Sequence, residues 1–227
     1  MEMFEQNARI LFQGDSITDY GRERNVNADS PANRGLGSSH AMLIAARLLA
    51  EYPERNLQFY NRGFCGDTIL HLAARWKTDT LDLHPDYLSI LIGANDVWGH
   101  FRKDGGVDLP RYESIYRELL DRTLECNPEV RFILCEPFLS FFEGAVTSEA
   151  WRNDMDAFRA AVRKIAKEYH AIFVPFQSAF EKANRKAPPQ VWSFDGVHPL
   201  HAGYGIMTRT WIETVRRALR KNKENKP

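Results

Sequence analysis

Five short, mostly apolar stretches recur along the chain, at residues 9–12, 57–60, 87–92, 130–135 and 171–175. Each is rich in β-branched or aromatic residues, and few of their positions alternate between apolar and polar. Near-continuous hydrophobicity over so short a length is typical of strands that are buried on both faces, as they are in a parallel sheet. The pattern therefore predicts a central, mostly parallel sheet of five strands.

Longer segments with helical spacing of apolar residues lie between and after these strands, at residues 39–51, 68–79, 111–125, 148–169 and 200–221. In the last segment Met207, Trp211, Val215 and Leu219 repeat every four residues, which is the spacing of one buried helix face. Strands and helices thus alternate along the chain. This alternation predicts an α/β fold, a flavodoxin-like three-layer α/β/α sandwich with right-handed crossovers.

The length of 227 residues suits one domain, because single hydrophobic cores stop growing at roughly 250–300 residues. No internal repeat or low-complexity linker divides the sequence, so residues 1–227 are expected to form one domain. The polar stretch at residues 20–38 predicts a long loop beside the end of the first strand. The last residues, 221–227, are expected to fray.

Composition and charge narrow the range of partners. Hydrophobic residues make up 44% of the chain, and 30 basic residues balance 30 acidic ones. This balance removes the broad attraction expected of a nucleic-acid or anionic-membrane binder. The first residues lack the basic and long apolar regions of a signal peptide, and no apolar stretch approaches the length that spans a bilayer. We therefore expect a cytoplasmic protein that binds neither nucleic acid nor membrane.

The sequence lacks the common motifs of metal-binding and nucleotide-binding sites. The three cysteines, Cys65, Cys126 and Cys135, are widely spaced and form no C-x-x-C pair, and the histidines show no ligand spacing. No GxxxxGK[ST] phosphate loop occurs, and the GxSxG elbow of α/β-hydrolases is absent. The sequence therefore predicts no metal site and no cofactor.

The residues directly after each strand are where an α/β fold places its ligand sites. Gly14, Asp15 and Ser16 follow the first strand, so the Ser16 hydroxyl is expected at the edge of the sheet. Alone, such a serine is more often a turn residue or a helix N-cap than a nucleophile. Ser16 is thus a candidate whose weight depends on the residues around it.

Asp195 and His198, just before the last predicted helix, supply what a nucleophilic serine needs. A histidine acts as the base, and a carboxylate holds it in the right tautomer. Pro199 biases His198 toward an extended backbone, so both side chains are expected on one loop. The alternative is a helix-capping aspartate and a surface histidine, and this pair alone does not exclude it.

Two further strand ends carry candidate donors for an oxyanion. Gly66 lies between the second strand and a helix, where backbone N–H groups point outward. Asn95 follows the third strand, and its amide is a second donor. A turn glycine and ordinary turn chemistry are the alternatives for these two residues. Chance does not readily place nucleophile, donors and acid/base pair in order at the strand ends of one sheet.

The ordered set resembles the SGNH hydrolases, the superfamily of GDSL-type esterases and lipases. Ser16, Gly66, Asn95 and His198 match the four residues of its name, and Ile17 stands where the nickname has leucine. The resemblance covers essentially the whole chain. It implies an SGNH fold and a carboxylic ester hydrolase that works without a metal.

The resemblance also implies a role for each matched residue. Ser16 attacks an ester carbonyl, His198 takes its proton and Asp195 orients His198. The backbone N–H groups of Ser16 and Gly66 and the amide of Asn95 hold the tetrahedral oxyanion.

Residues 14–19, 92–98 and 191–199 look most like the intracellular branch of the superfamily that includes acetylxylan esterases. This implies a small-molecule substrate, a short acyl ester on a carbohydrate such as an acetylated xylo-oligosaccharide. Members of the branch are often homo-oligomers. Two alternatives stay open: a lipase or thioesterase acting on another small ester, and a non-catalytic carbohydrate-binding domain on the same fold.

Three residues are assigned to substrate binding. Trp98 and Trp192 each lie three residues from a proposed site residue, and aromatic rings there can stack on a sugar face or an acyl chain. Asp15 is included because it adjoins Ser16. Core packing is the alternative for both tryptophans.

Overall fold

The centre of the molecule is a sheet of five parallel strands. The computed structural model describes residues 3–24, 34–102, 106–145 and 149–224. Within these ranges the strands are β1 Arg9–Gly14, β2 Gln58–Asn61, β3 Tyr87–Leu91, β4 Arg131–Cys135 and β5 Ile172–Val174. They lie in the order β2-β1-β3-β4-β5, and each neighbouring pair is parallel. The predicted parallel sheet is confirmed.

Helices cover both faces of this sheet. The described residues contain α1 Ser16–Asp19, α2 His40–Glu51, α3 Ile69–Asp79, α4 Ala94–Arg102, α5 Leu109–Cys126, α6 Glu149–Glu168, α7 Phe176–Asn184 and α8 His201–Glu224. Helix α8 contacts α2 and α7, whereas α5 contacts α3 and α6. These two groups form the outer layers, so the predicted α/β sandwich is confirmed.

The core is mostly apolar, and the N–H groups of two of its large indole rings are hydrogen-bonded. Every residue of β3 is buried, as expected for a strand with helices on both sides. Ser89 in β3 accepts a hydrogen bond of 3.0 Å from the indole N–H of Trp211 on α8. Trp76 on α3 donates in the same way to the Thr123 hydroxyl. Because a buried N–H without a partner is costly, these bonds let two large rings fill the core.

The four-residue repeat in α8 lies where the sequence predicts it. Met207, Trp211, Val215 and Leu219 are all buried, and together they form the face that packs on the sheet and its neighbouring helices. A single change on this face, such as Trp211→Ala, removes about 3–5 kcal/mol of stability by the usual cost of emptying a core site.

Three helices were not expected from the sequence. Helix α1 is only four residues long and shows no apolar period, whereas α4 has apolar residues at helical spacing, Ala94, Val97, Trp98 and Phe101. Helix α7 also carried a signal, because Phe176, Phe180 and Ala183 are buried at helical spacing. Each of the three follows a strand, so together they shape the carboxyl edge of the sheet.

The structure bears differently on the predicted frayed tail at residues 221–227 and on the predicted loop at residues 20–38. Helix α8 runs to Glu224, so residues 221–224 are helical where fraying was predicted, and residues 225–227 lie outside the described residues. The predicted loop at 20–38 includes a turn of 3₁₀ helix at Arg34–Leu36, and residues 25–33 lie outside the described part. None of the helices described is long and apolar enough to cross a membrane.

Candidate active site

Three neighbouring strands bring the candidate residues to one edge of the sheet. Strand β1 lies between β2 and β3, and parallel strands present their carboxyl ends on the same side. Ser16 follows β1, Gly66 follows β2 and Asn95 follows β3. Ser16 and Asn95 both lie in the first turn of a helix, whose free N–H groups and dipole favour negative charge at this edge.

Ser16, His198 and Asp195 form a continuous hydrogen-bonded chain. The Ser16 hydroxyl lies 2.8 Å from Nε2 of His198. Nδ1 of the same ring lies 2.7 Å from Oδ2 of Asp195. All three side chains are partly buried, so a substrate can reach the serine while bulk water is partly excluded. The geometry is that of a nucleophile, a base and a carboxylate that orients the base.

The carboxylate is held by its own turn. Oδ1 of Asp195 accepts the backbone N–H groups of Val197 at 2.9 Å and His198 at 2.7 Å. The Ser193 hydroxyl donates to the His198 carbonyl, and it accepts from the Gly196 N–H. With Oδ1 occupied by two donors, Oδ2 is left to face the imidazole. The turn therefore fixes both the position and the orientation of the acid.

The two groups shift each other's ionisation. The hydrogen bond to Asp195 raises the pKa of His198 above its usual 6.5, and partial burial opposes this only in part. Burial alone raises the pKa of Asp195, but its bonds from His198 and Val197 outweigh that effect and lower the pKa below 3.8. Asp195 is thus a carboxylate at neutral pH, and it stabilises the imidazolium that forms when His198 takes a proton.

Two of the candidate oxyanion donors are backbone N–H groups, those of Ser16 and Gly66. The Ser16 N–H occupies the first position of α1, where no intrahelical acceptor exists. Gly66 has a φ of +86°, a backbone conformation that side-chain-bearing residues rarely adopt. The Asp67 N–H bonds to the Phe64 carbonyl at 3.1 Å and closes the turn around Gly66. This turn leaves Gly66 exposed, with its N–H outside the turn's own bond.

Asn95 is oriented by one of its two amide hydrogens. Its Nδ2 donates to the backbone carbonyl of Asp67 at 2.9 Å, which establishes which end of the amide carries nitrogen. The second hydrogen has no acceptor that we find in the described residues. The same bond ties α4 to the turn that carries Gly66, so two candidate oxyanion donors are held in one unit.

Comparison with known proteins identifies the family of this chain. A family model described as the GDSL-like lipase/acylhydrolase family matches residues 12–206. The chain belongs to this family. It is a carboxylic ester hydrolase with the SGNH fold that the sequence predicts.

Individual relatives of this GDSL-like hydrolase match along nearly their whole length. An acetylxylan esterase of Geobacillus stearothermophilus is 36% identical over 91% of this chain and 93% of its own. A GDSL-like lipase from Parabacteroides merdae has a TM-score of 0.88 at 40% identity, covering 93% of this chain and 96% of that one.

Axe2, an acetylxylan esterase from Geobacillus stearothermophilus, gives a TM-score of 0.82 at 34% identity, covering 94% of this chain and 96% of its own. Two further Axe2 structures are described as catalytic mutants, in which an aspartate, or a histidine three residues after it, is replaced by alanine.

Asp15 is buried beneath the turn that carries Ser16. Its side chain is 1% exposed, and Oδ1 accepts the Ile17 N–H at 3.0 Å as the N-cap of α1. Burial raises its pKa to about 7. Asp15 thus supports the turn that presents Ser16, and its role in binding substrate stays a prediction. Its burial was not readable from a tripeptide at a strand end.

The two tryptophans lie in different places. The Trp98 ring is half-buried on α4, one helical turn from Asn95, and lies 5.2 Å from the Trp151 ring. Trp192 instead lines a groove of about 790 Å³ between α7 and α8, and its indole N–H donates to the Ala187 carbonyl. None of Ser16, Asp195 and His198 lines that groove. In the structure the Trp192 side chain faces the groove beside α7, and its role in binding substrate stays a prediction.

Other residues near the site were not singled out from the sequence. The Phe194 ring is 59% exposed and lies nearly parallel to the His198 imidazole, with centroids 5.6 Å apart. Asp96 is fully buried and accepts the Ile69 N–H at 2.9 Å, which joins α4 to the start of α3. Its place directly after Asn95 was the available signal. No cluster of three metal-ligating side chains occurs in the described ranges.

Proposed function

We propose that this protein is a serine esterase that removes acetyl groups from carbohydrates, such as acetylated xylo-oligosaccharides. Ser16 is the nucleophile, His198 the base and Asp195 the residue that orients it. The observation that carries the proposal is the chain of two short hydrogen bonds from the Ser16 hydroxyl through His198 to Asp195, 2.8 and 2.7 Å long. This arrangement is the one that nucleophilic acyl transfer requires.

The reaction runs in two halves. The Ser16 Oγ attacks the ester carbonyl while its proton moves to Nε2 of His198, and the carbonyl oxygen becomes an oxyanion. The N–H groups of Ser16 and Gly66 and the amide of Asn95 donate to it. The intermediate collapses as the bond from the carbonyl carbon to the sugar oxygen breaks and His198 protonates that oxygen, so the sugar leaves with a free hydroxyl. Water then attacks the acetyl-enzyme, His198 takes its proton, and acetate leaves while the proton returns to Ser16.

Two findings on Axe2 support the assignment of the acid and the base. Its catalytic mutants lack an aspartate and a histidine that are three residues apart. Asp195 and His198 have the same separation, and their side chains bond to each other. A non-catalytic carbohydrate-binding domain, the alternative from the sequence, does not need a hydrogen-bonded aspartate–histidine pair next to a serine.

The substrate class rests on the acetylxylan esterase that is 36% identical to this chain. The exposed rings near the site, Phe194 and Phe64, fit a sugar better than a bare alkyl group because aromatic faces stack on pyranose rings. Trp98 stays a candidate for the same role. Placement in the cytoplasm and assembly into a homo-oligomer remain predictions from the sequence.

A hydrolysis panel tests the substrate class. We expect kcat/KM to be highest for acetylated xylo-oligosaccharides and to fall as the acyl chain of 4-nitrophenyl esters grows from acetate to octanoate. A preference for the long acyl chains indicates a lipase-type substrate instead. Faster hydrolysis of acyl thioesters than of acetylated sugars indicates a thioesterase.

Asn95→Ala removes one proposed oxyanion donor. We expect kcat on 4-nitrophenyl acetate to fall by about 100- to 1,000-fold with a small change in KM, because the amide bonds to charge that develops only in the transition state. Asn127→Ala is the matched control: Asn127 also donates to a backbone carbonyl, that of Pro85, away from Ser16. Equal kcat values for the two variants remove Asn95 from the mechanism.

The pH dependence of kcat/KM reports on His198 in the free enzyme. His198 accepts the Ser16 proton only when neutral, and its bond to Asp195 raises its pKa above 6.5. Activity is therefore expected to be full at pH values above this raised pKa and to fall as the pH drops through it. Initial rates with 4-nitrophenyl acetate across the acid and neutral range measure the midpoint. A midpoint below 6.5 contradicts the coupling between His198 and Asp195.

A further inference from the structure

Residues 19–24 hold the turn that carries Gly66. This turn, residues 63–67, joins β2 to α3 and contacts the end of β1, where the Phe64 N–H donates to the Gly14 carbonyl at 3.0 Å. Two side chains hold the turn on one side. Asn95 donates to the Asp67 carbonyl at 2.9 Å, and Arg75 pairs with the Asp67 carboxylate at 2.7 Å. On its other side, the turn is held by side chains from the segment after Ser16.

Asp19 contacts the residue that precedes Gly66. Its Oδ2 accepts the backbone N–H of Cys65 at 2.9 Å, and the side chain is 8% exposed. Only the two backbone dihedral angles of Cys65 separate its nitrogen from the Gly66 N–H, so anchoring the Cys65 nitrogen limits how far the Gly66 N–H can move. The same Oδ2 pairs with Arg24 at 2.8 Å, and the Arg24 guanidinium lies 3.6 Å from the centre of the Phe64 ring.

Arg22 holds the first residue of the same turn. Its Nε and Nη2 both donate to the Gly63 carbonyl, at 3.2 and 2.9 Å. Arg22 is only 7% exposed and lies 3.5 Å from Oδ1 of Asp19, so the two side chains act as one charge-paired unit. Hydrogen bonds to charged groups in such surroundings are among the stronger ones in proteins.

The contact between the two segments is close. A Cβ atom at Gly63 would come within 2.6 Å of the Asp19 nitrogen and 2.8 Å of the Thr18 Cβ, so only glycine fits there. Asp19 belongs to α1, the same helical turn that begins at Ser16. Helix α1 thus carries Ser16 and also packs against the turn that carries Gly66.

We propose that Asp19 and Arg22 are positioning residues that set the Gly66 N–H against the oxyanion formed at Ser16. The inference rests on the proposed function, because it assumes that Gly66 donates to that oxyanion. Neither residue touches the reacting atoms. Asp19 acts through the Cys65 N–H, and Arg22 acts through the Gly63 carbonyl.

The expected effect is on the chemical step. An oxyanion donor is useful only when it lies at the right distance from charge that develops in the transition state, and a displacement of about 1 Å can cost on the order of 100-fold in rate. Ground-state binding of the ester does not depend on that distance in the same way. Loss of either residue therefore lowers kcat and leaves KM nearly unchanged.

Three variants test the proposal. Asp19→Ala is expected to lower kcat on 4-nitrophenyl acetate by about 10- to 100-fold with KM within about twofold of wild type. Asp19→Asn keeps an oxygen acceptor for the Cys65 N–H and is expected to recover most of that loss. Arg22→Met removes the two hydrogen bonds to the Gly63 carbonyl and is expected to lower kcat without changing KM. This variant tests the proposal if Asp19→Ala does not fold.

Glu136→Ala serves as a matched control. Glu136 is also a buried carboxylate that accepts a backbone N–H, from Gln177, and pairs with an arginine, Arg163. It lies beyond β4, outside the Gly66 turn. We expect this variant to lose stability but to keep its kcat, which separates positioning of the turn from general loss of a buried acid.

Affinity for phenylboronic acid gives a second readout, because its tetrahedral serine adduct occupies the oxyanion site. Asp19→Ala and Arg22→Met should weaken this inhibitor by the same factor as kcat falls. Wild-type kcat in both variants, a loss confined to KM, or an equal loss in Asp19→Asn and Asp19→Ala overturns the proposal. Failure of the proposed function differs from these results, because wild type itself then neither hydrolyses the ester nor reacts with a serine-directed fluorophosphonate.

Discussion

Ser16→Ala is expected to abolish ester hydrolysis, with kcat lower by on the order of 10⁶-fold, as in other hydrolases that lose their nucleophile. The Ser16 hydroxyl forms the bond that is made and broken in each half of the reaction, and no other described hydroxyl lies within hydrogen-bonding distance of His198 Nε2. The remaining donors still bind the ester, so any residual rate reflects water acting in place of the serine.

The fold should survive this change. The side chain of Ser16 is partly exposed, and its one side-chain hydrogen bond in the structure, to His198, is worth about 1 kcal/mol. Thermal unfolding followed by circular dichroism, together with initial rates on 4-nitrophenyl acetate, measures both effects on the same sample. Substantial turnover by a folded Ser16→Ala protein would falsify the assignment of the nucleophile.

Asp195→Asn is expected to lower kcat by about 10,000-fold, although it changes few atoms. The Val197 and His198 N–H groups both point at Oδ1, so an asparagine must place its oxygen there. Its NH₂ group then occupies the position of Oδ2 and faces Nδ1 of His198. Nδ1 must accept that bond, which leaves the hydrogen on Nε2, and Nε2 can no longer take the proton from Ser16.

Asp86→Asn is the control for this substitution. Asp86 also accepts a backbone N–H, from Arg9, but at the opposite, amino-terminal edge of the sheet. We expect it to keep the wild-type kcat. The kcat of Asp195→Asn is measured with 4-nitrophenyl acetate above the His198 pKa, where protonation does not limit the rate. A loss of less than tenfold there means that Asp195 does not set the tautomer of His198.

Much of the fold is predictable because its signals are local. Buried parallel strands are short apolar runs, and long helices repeat their apolar residues, so strands such as Tyr87–Leu91 and the repeat in α8 are readable directly. Helix α1 is a single turn, too short to show a period. Helix α4 does repeat its apolar residues, but it begins with Asn95 and Asp96, a pair that is more typical of a turn.

The site is predictable only as an ordered set. Three of its residues follow strands, and a parallel sheet brings the ends of its strands to one edge. The other two precede helix α8. The residues are, in this order, Ser16, Gly66 and Asn95, then Asp195 and His198. Side-chain direction is a different matter. Trp192 turns toward α7 and Asp15 turns inward because of packing between elements that are distant in sequence.

The hold of residues 19–24 on the Gly66 turn illustrates the same limit. Asp19 lies three residues from Ser16, yet its partner Cys65 is 46 positions away. Nothing in the spacing of either residue points to the other. The contact becomes visible only when β1 and β2 are paired and their following loops meet.

The most direct test of the account is the location of a covalent adduct. The wild-type protein is incubated with a fluorophosphonate, and the modified residue is located by tandem mass spectrometry of its peptides. The account predicts one adduct, on Ser16, with labelling abolished in Ser16→Ala and strongly slowed in His198→Ala. An adduct on another serine, or none in a protein that still hydrolyses acetyl esters, contradicts it.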